Sequence, residues 1–154
     1  MYYDYLKTDI GLIEIIEESG KIVRIHLVET IQNKVNTTDL LKEVKKQLQE
    51  YFTENRKVFN FEIDFAGTTF QKKVWRELSK IPYGETVSYQ DIASRIGNQR
   101  AVRAVGGAVH KNPLLIVVPC HRVIGKNGNL IGFACGLDIK RKLLNLENII
   151  AKQR

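Results

Sequence analysis

The sequence predicts an α/β chain in two parts: a small antiparallel sheet-plus-helix domain over residues 1–64, and a mostly helical domain with a helix-turn-helix over residues 65–154. Three observations predict it. β-Branched residues crowd the start of the chain, and helical periodicity takes over after them. All three prolines, Pro82, Pro113 and Pro119, fall in the second part. The charge divides at the same place: residues 1–64 hold 12 acidic and 9 basic side chains, net −3, and residues 65–154 hold 5 and 15, net +10, which together give the chain's +7.

In the first part, Ile10 to Ile16 and Ile22 to Val28 read as strands joined by a turn at Ser19-Gly20. From Asp39 to Phe52, Leu40, Leu41, Val44, Leu48 and Tyr51/Phe52 recur at helical spacing. Val58 to Phe65 alternates and reads as another strand, and His26 reads as a packed core or edge side chain. Ala66-Gly67 marks the boundary. Thr68 and Gln71 then form a capping-box pattern, and Phe70, Val74 and Leu78 lie a turn apart on a helix that stops before Pro82.

Residues 88–109 read as two helices around a tight corner. Ser88 caps the first, Gly97 ends it in a left-handed conformation, and Asn98 caps the second. Ala101, Ala104/Val105 and Ala108/Val109 form the inward stripe, with Arg100, Arg103 and Gly107 on another face. The spacing is that of a DNA-binding helix-turn-helix, and equally that of an αα-corner packed inside a domain. The second helix is poor in the long polar side chains that read a major groove. Its small residues and Gly106-Gly107 pair suit close approach to a narrow groove with one inserted arginine.

Leu114 to Val118 reads as a buried strand stopped by Pro119, with Cys120, His121 and Arg122 next. An imidazole and a guanidinium beside a thiol lower its pKa and make it a nucleophile; the alternative is a small buried hydrophobe. Between Asp91 and Asp138 there is no carboxylate, while Arg95, Arg100, Arg103, Lys111, Arg122 and Lys126 fall there, which fits a polyanion partner or a solvated basic face. Several classes are excluded by expectation. No apolar run approaches the ~20 residues of a membrane span. The N-terminus lacks a secretory pattern. The two cysteines and three histidines make neither a disulfide framework nor a metal pattern, so a reducing, cytoplasmic setting is expected.

Pro119-Cys120-His121-Arg122-Val123-Ile124-Gly125 resembles the active-site signature of the O6-alkylguanine-DNA alkyltransferases. Phe70…Val74-Trp75…Leu78…Ile81-Pro82-Tyr83-Gly84, Val87-Ser88-Tyr89, Arg103-Ala-Val-Gly-Gly-Ala108 and Asn112-Pro113 extend it in order and spacing, covering residues 68–148. The resemblance implies a ribonuclease H-like first domain. It also implies single, irreversible transfer of a methyl or larger alkyl group from O6 of guanine, with O4 of thymine as a second donor, to Cys120. His121 would draw the thiol proton through a water, Glu147 would orient His121, Tyr89 would donate a proton to guanine N3, and Asn112 would brace the cysteine region. Arg103 would enter the stack from the minor groove of double-stranded DNA and hold the flipped base's place. Ala101, Val102, Gly106, Gly107, Arg100 and Arg122 would be further DNA contacts.

Tyr89, Val109, Val123, Phe133, Ala134 and Cys135 would form the guanine pocket. Phe133 stands where the family often has Tyr, and Cys135-Gly136 where it usually has Gly-Gly. The expected partner is DNA holding O6-alkylguanine, met by a monomer with no membrane, no cofactor and no metal; the protein would join the nucleoid when acting, or the nucleus in a eukaryote. A lesion-binding relative without transfer would carry another residue at the cysteine, so Cys120 favours transfer.

Overall fold

The computed structural model describes residues 1–128 and 135–147, and the chain divides into two compact units, Met1–Ala66 and a second from Gly67 onward. The first unit holds a three-stranded antiparallel sheet, β1 (Tyr2–Thr8), β2 (Gly11–Glu18) and β3 (Lys21–Val28), with β2 in the middle. Ile15 faces Ile25 across the β2–β3 ladder, and Ile13, Ile15, Ile22 and Ile25 are fully buried. Helix α1 (Asp39–Glu54) adds Leu41, Val44, Leu48 and Tyr51 to that core. Its start is fixed by Thr38, whose Oγ1 accepts from the Leu41 amide at 3.0 Å.

Three readings of this unit change. The edge strand β1 is additional to the expected hairpin; its Asp4 is buried and paired with Lys45 at 3.2 Å, a polar interruption that hides the strand's pattern. Residues 58–65 alternate in exposure but pair only through the single bridge Ile22–Ile63. His26 is a carboxylate partner: its Nε2 lies 2.7 Å from Glu14 Oε1, and buried Glu14 also accepts from Tyr5 Oη and, at 3.0 Å, from Asn33 Nδ2.

In the second unit, α2 (Thr69–Leu78) opens on a complete capping box, with Thr68 and Gln71 exchanging two bonds of 3.0 Å. Val74, Trp75 and Leu78 are its buried face, and Trp75 Nε1 donates to the Ala108 carbonyl at 2.9 Å. Strand β4 (Val87–Ser88) runs into α3 (Tyr89–Arg95), and α4 (Val102–His110) packs against both α2 and α3. A 3-10 turn (Cys120–Arg122), strand β5 (Val123–Ile124) and α5 (Leu137–Leu146) follow.

Ser88 caps α3 through a box with Asp91, and Gly97 lies at φ 80°, as expected of a helix-ending glycine. Asn98 does not cap the next helix: α4 begins at Val102 after Ala101 with no side-chain cap, and the Asn98 carbonyl accepts from the Ala101 amide at 3.0 Å. Ala104 is exposed rather than inward, leaving Val105, Ala108 and Val109 as the buried stripe. Leu114 to Val118 is buried but is no strand. Its amides bond locally, Val117 to Leu115 at 2.8 Å and Val118 to Leu114 at 2.9 Å, and Ile116 takes φ 72°. Among the described residues no helix is long and apolar enough to cross a membrane.

Candidate active site

The parallel pairing of β4 with β5, Val87 opposite Val123 and Ser88 opposite Ile124, binds the start of α3 to the strand that leaves the cysteine turn. Tyr89 thereby enters the electrostatic surroundings of Cys120. Asn112 braces the approach to that turn. Its Nδ2 donates to the Val118 carbonyl at 2.7 Å, and its Oδ1 accepts from the Leu114 amide at 2.9 Å. The Cys120 amide donates to the same Val118 carbonyl at 2.8 Å. Cys120 and His121 occupy a 3-10 turn that also takes in Arg122.

Helix α5 supplies the other wall. Glu147, just past its last turn, lies 2.6 Å from His121 Nε2 through Oε2, and both side chains are wholly buried. Arg122 Nε reaches Glu147 Oε1 at 2.8 Å, and Nη2 reaches Oε2 at 3.1 Å. A carboxylate held by a guanidinium only accepts, so His121 carries its proton on Nε2 and Nδ1 is the basic nitrogen. That Nδ1 is buried and has no hydrogen-bond partner among the described residues. Burial lowers the His121 pKa and outweighs the opposing pull of Glu147, so the ring is neutral near pH 7.

The thiol departs from expectation. Burial pushes Cys120 up to about 11; the Asn112 side chain and the Lys140 charge favour the thiolate but offset this only in part. The flanking cations do not lower it, because Arg122 is committed to Glu147 and His121 is uncharged. Burial, then the field of Cys120, pushes Tyr89 up to about 12, so its hydroxyl stays protonated.

Lys140 had no place in the sequence reading, since a lysine on an amphipathic helix reads as solvated. It is fully buried, donates to the Val123 carbonyl at 2.6 Å, and stands 5.8 Å from the Tyr89 ring centroid. Burial brings its pKa down to about 8.

The expected site residues fall into two groups. Cys120, His121, Asn112, Val123 and Glu147 gather around the cysteine turn with Tyr89 and Cys135 in electrostatic reach of it. Arg122 belongs to this group and not to a DNA-facing surface: it is buried, and its Nη1 donates to the Ile81 carbonyl at 2.7 Å. Arg100, Ala101, Val102, Arg103, Gly106 and Gly107 belong to α4 and its lead-in, with Arg100, Arg103 and Gly107 exposed. A Cβ added to Gly106 or Gly107 would meet nothing within 4 Å, so no internal packing demands either glycine. Val109 lies on the buried side of α4. Phe133 and Ala134 lie outside the described residues. Gly136 has φ 94°, which only glycine adopts without strain. Among the described residues no three His, Cys, Asp or Glu side chains gather as metal ligands would.

Comparison with known proteins agrees with this architecture. Residues 1–65 match the family model of the 6-O-methylguanine DNA methyltransferase ribonuclease-like domain, and residues 69–149 that of the 6-O-methylguanine DNA methyltransferase DNA binding domain. The chain is 47% identical to the constitutive methylated-DNA–protein-cysteine methyltransferase of Bacillus subtilis, over 99% of each chain. It is 46% identical to the methylated-DNA–protein-cysteine methyltransferase of Methanosarcina acetivorans, over 96% of this chain and 98% of that one. Among solved structures, Mycobacterium tuberculosis OGT in complex with DNA aligns with a TM-score of 0.88 at 38% identity, covering 96% of this chain and 92% of the other. With both halves of the chain matched and a relative alike along nearly its whole length, the chain belongs to the 6-O-methylguanine DNA methyltransferase family.

Proposed function

We propose that this chain repairs alkylated DNA directly, by moving the alkyl group from O6 of guanine to Cys120. The C–O bond at O6 breaks as the sulfur forms a thioether, the thiol proton leaves through His121, and the restored guanine is neutralised by a proton from Tyr89. The product S-alkylcysteine is not reversed, so each molecule acts once. The observation that carries this reading is the buried Cys120 followed by a neutral histidine whose Nε2 is held by a buried carboxylate at 2.6 Å.

The pKa values set the order of events. A thiol at about 11 is protonated at rest, so its proton has to be drawn off as the carbon is captured. His121 Nδ1 is the base for this, through one water. Tyr89, protonated at every physiological pH, acts as donor to guanine N3, because the departing base is a poor leaving group while it carries charge. The target atom lies inside the duplex, so the base is extruded at a cost of a few kcal/mol. The small-residue face of α4 lies against the minor groove, and Arg103 fills the vacated space. Tyr89, Val109, Val123 and Cys135 line the pocket for the extruded base, and O4-alkylthymine is a second substrate.

Residues 65–154 carry this chemistry, and residues 1–64 form a separate domain. The protein acts as a monomer in the cytoplasm, on the nucleoid.

Incubation with duplex DNA holding one O6-methylguanine tests the reading. The intact mass should rise by about 14 Da, one methyl, with the adduct on the Cys120 peptide and turnover ending at one equivalent. Cys120→Ser should bind the same duplex and transfer nothing. An unmodified chain after prolonged incubation, or repeated turnover, defeats the proposal.

A further inference from the structure

The corner Ile81-Pro82-Tyr83-Gly84 between α2 and β4 has no chemistry assigned to it, yet it closes around the far side of Glu147. The Gly84 amide donates to Glu147 Oε1 at 3.3 Å, and the Tyr83 hydroxyl donates to the neighbouring Leu146 carbonyl at 3.3 Å. The Ile81 carbonyl accepts from Arg122 Nη1 at 2.7 Å, and the guanidinium stands 5.7 Å from the Tyr83 ring centroid. Arg122 is thus pinned on one side by the corner and on the other by both oxygens of Glu147.

We propose that Arg122, seated by the Ile81–Gly84 corner, is a positioning residue that keeps Glu147 ionised and oriented, and so selects the His121 tautomer with its proton on Nε2 and a basic Nδ1. The inference rests on the reading of Cys120 as the alkyl acceptor. A carboxylate with no exposed surface needs a countercharge. His121 is neutral and cannot provide one. Arg122 supplies a cation whose planar fork meets the carboxylate in two places at once. Were Glu147 protonated, it would donate to His121 Nε2, the ring proton would move to Nδ1, and the base would be lost. One buried cation therefore decides whether the histidine can accept a proton from the thiol. The other titratable groups bearing on the network are Tyr83 and Lys140: the Tyr83 pKa is raised by its own burial and by Glu147, and Lys140 opposes protonation of His121.

The test compares Arg122→Met and Arg122→Lys with the unaltered chain. Single-turnover transfer is measured from pH 5 to pH 9, roughly the span of histidine and carboxylate titration, on methylated duplex and on free O6-benzylguanine. Arg122→Met should lose about 100-fold with both substrates, bind duplex as well as before, and begin its acid-side decline at a higher pH than the unaltered chain, as a poorly paired Glu147 takes up a proton and His121 loses the opposing charge. Arg122→Lys should recover only part of the loss, since an ammonium cannot make the paired contact. Unchanged rates, or a loss confined to duplex together with weakened binding, overturn the proposal. Should both variants fail to fold, nitrogen NMR of the unaltered, histidine-labelled protein decides. Nε2 protonated and Nδ1 bare near neutral pH supports the assignment, and a proton on Nδ1 refutes it. An unaltered chain that never accepts a methyl group would instead defeat the alkyl-transfer reading.

Discussion

Burial governs both ends of the proton path at Cys120. With the thiol pushed up to about 11, reaction with a small electrophile such as iodoacetamide, in the absence of DNA, should climb about tenfold per pH unit well past neutrality. A plateau below pH 9, roughly the ordinary thiol range, would show that the sulfur is already ionised. His121 shifts the other way. Its charged form is disfavoured in the fold, so the imidazole stays an available base down past its ordinary value of 6.5. Single-turnover transfer should therefore stay level as the pH falls from about 8 to about 6.5 and decline only below that; a midpoint above 6.5 contradicts the burial argument. Tyr89→Phe removes the donor without emptying the site, and should slow transfer at least about 100-fold with little change in DNA affinity. The adjacency of Cys120 and His121 was legible in the sequence, but the sign of the thiol shift was not. It depends on which way Arg122 points, and the carboxylate that draws Arg122 inward lies 25 positions further on. Lys140 escaped as well: in the basic run Lys140-Arg141-Lys142 on α5 nothing marks the one side chain that is fully buried.

At the scale of single elements, α4 separates what folding asks of a helix from what DNA contact asks of it. Gly106 and Gly107 weaken a helix by about 0.5–1 kcal/mol each relative to alanine, and a methyl group at either position would meet open space. Gly106→Ala and Gly107→Ala should therefore raise stability by about that amount in denaturant unfolding, while weakening binding to duplex DNA. If affinity is unchanged, the small-residue face does not lie against the groove. Elements with short-range signals were readable: Thr68 with Gln71 wrote a capping box into a three-residue spacing and Ser88 marked the start of α3; both caps are present, and Asp91 completes a box at Ser88 as well. Elements whose pattern comes from tertiary packing misled. Leu114 to Val118 is apolar because it is buried, and a run of that length has the same composition whether it is extended or, as here, turned back by local bonds and a positive φ at Ile116. Residues 58–65 have the alternation of a strand but meet β3 at one bridge only.

At the scale of the whole molecule, the charge asymmetry sets the terms of association. The half of the chain with net +10 exposes Arg95, Arg100, Arg103, Lys111 and Lys126, none with a carboxylate near it in sequence between Asp91 and Asp138. The half with net −3 couples several of its charges internally, as Lys45 with Asp4 and Arg56 with Glu50. Only the first kind of cation displaces counterions from a phosphate backbone, and each phosphate it neutralises contributes about 0.9 to the slope of log affinity against log salt. Arg100→Ala should flatten that slope by about one unit on any duplex, methylated or not. Lys46→Ala, in the other unit, should leave it as it was. Arg122→Met should also leave it unchanged, since a guanidinium buried against Glu147 has no counterion to release. If Lys46→Ala flattens the slope as much as Arg100→Ala, the footprint extends onto the acidic half and the asymmetry does not direct binding. If Arg122→Met flattens it, that side chain reaches phosphate after all, and its inward placement does not survive contact with DNA.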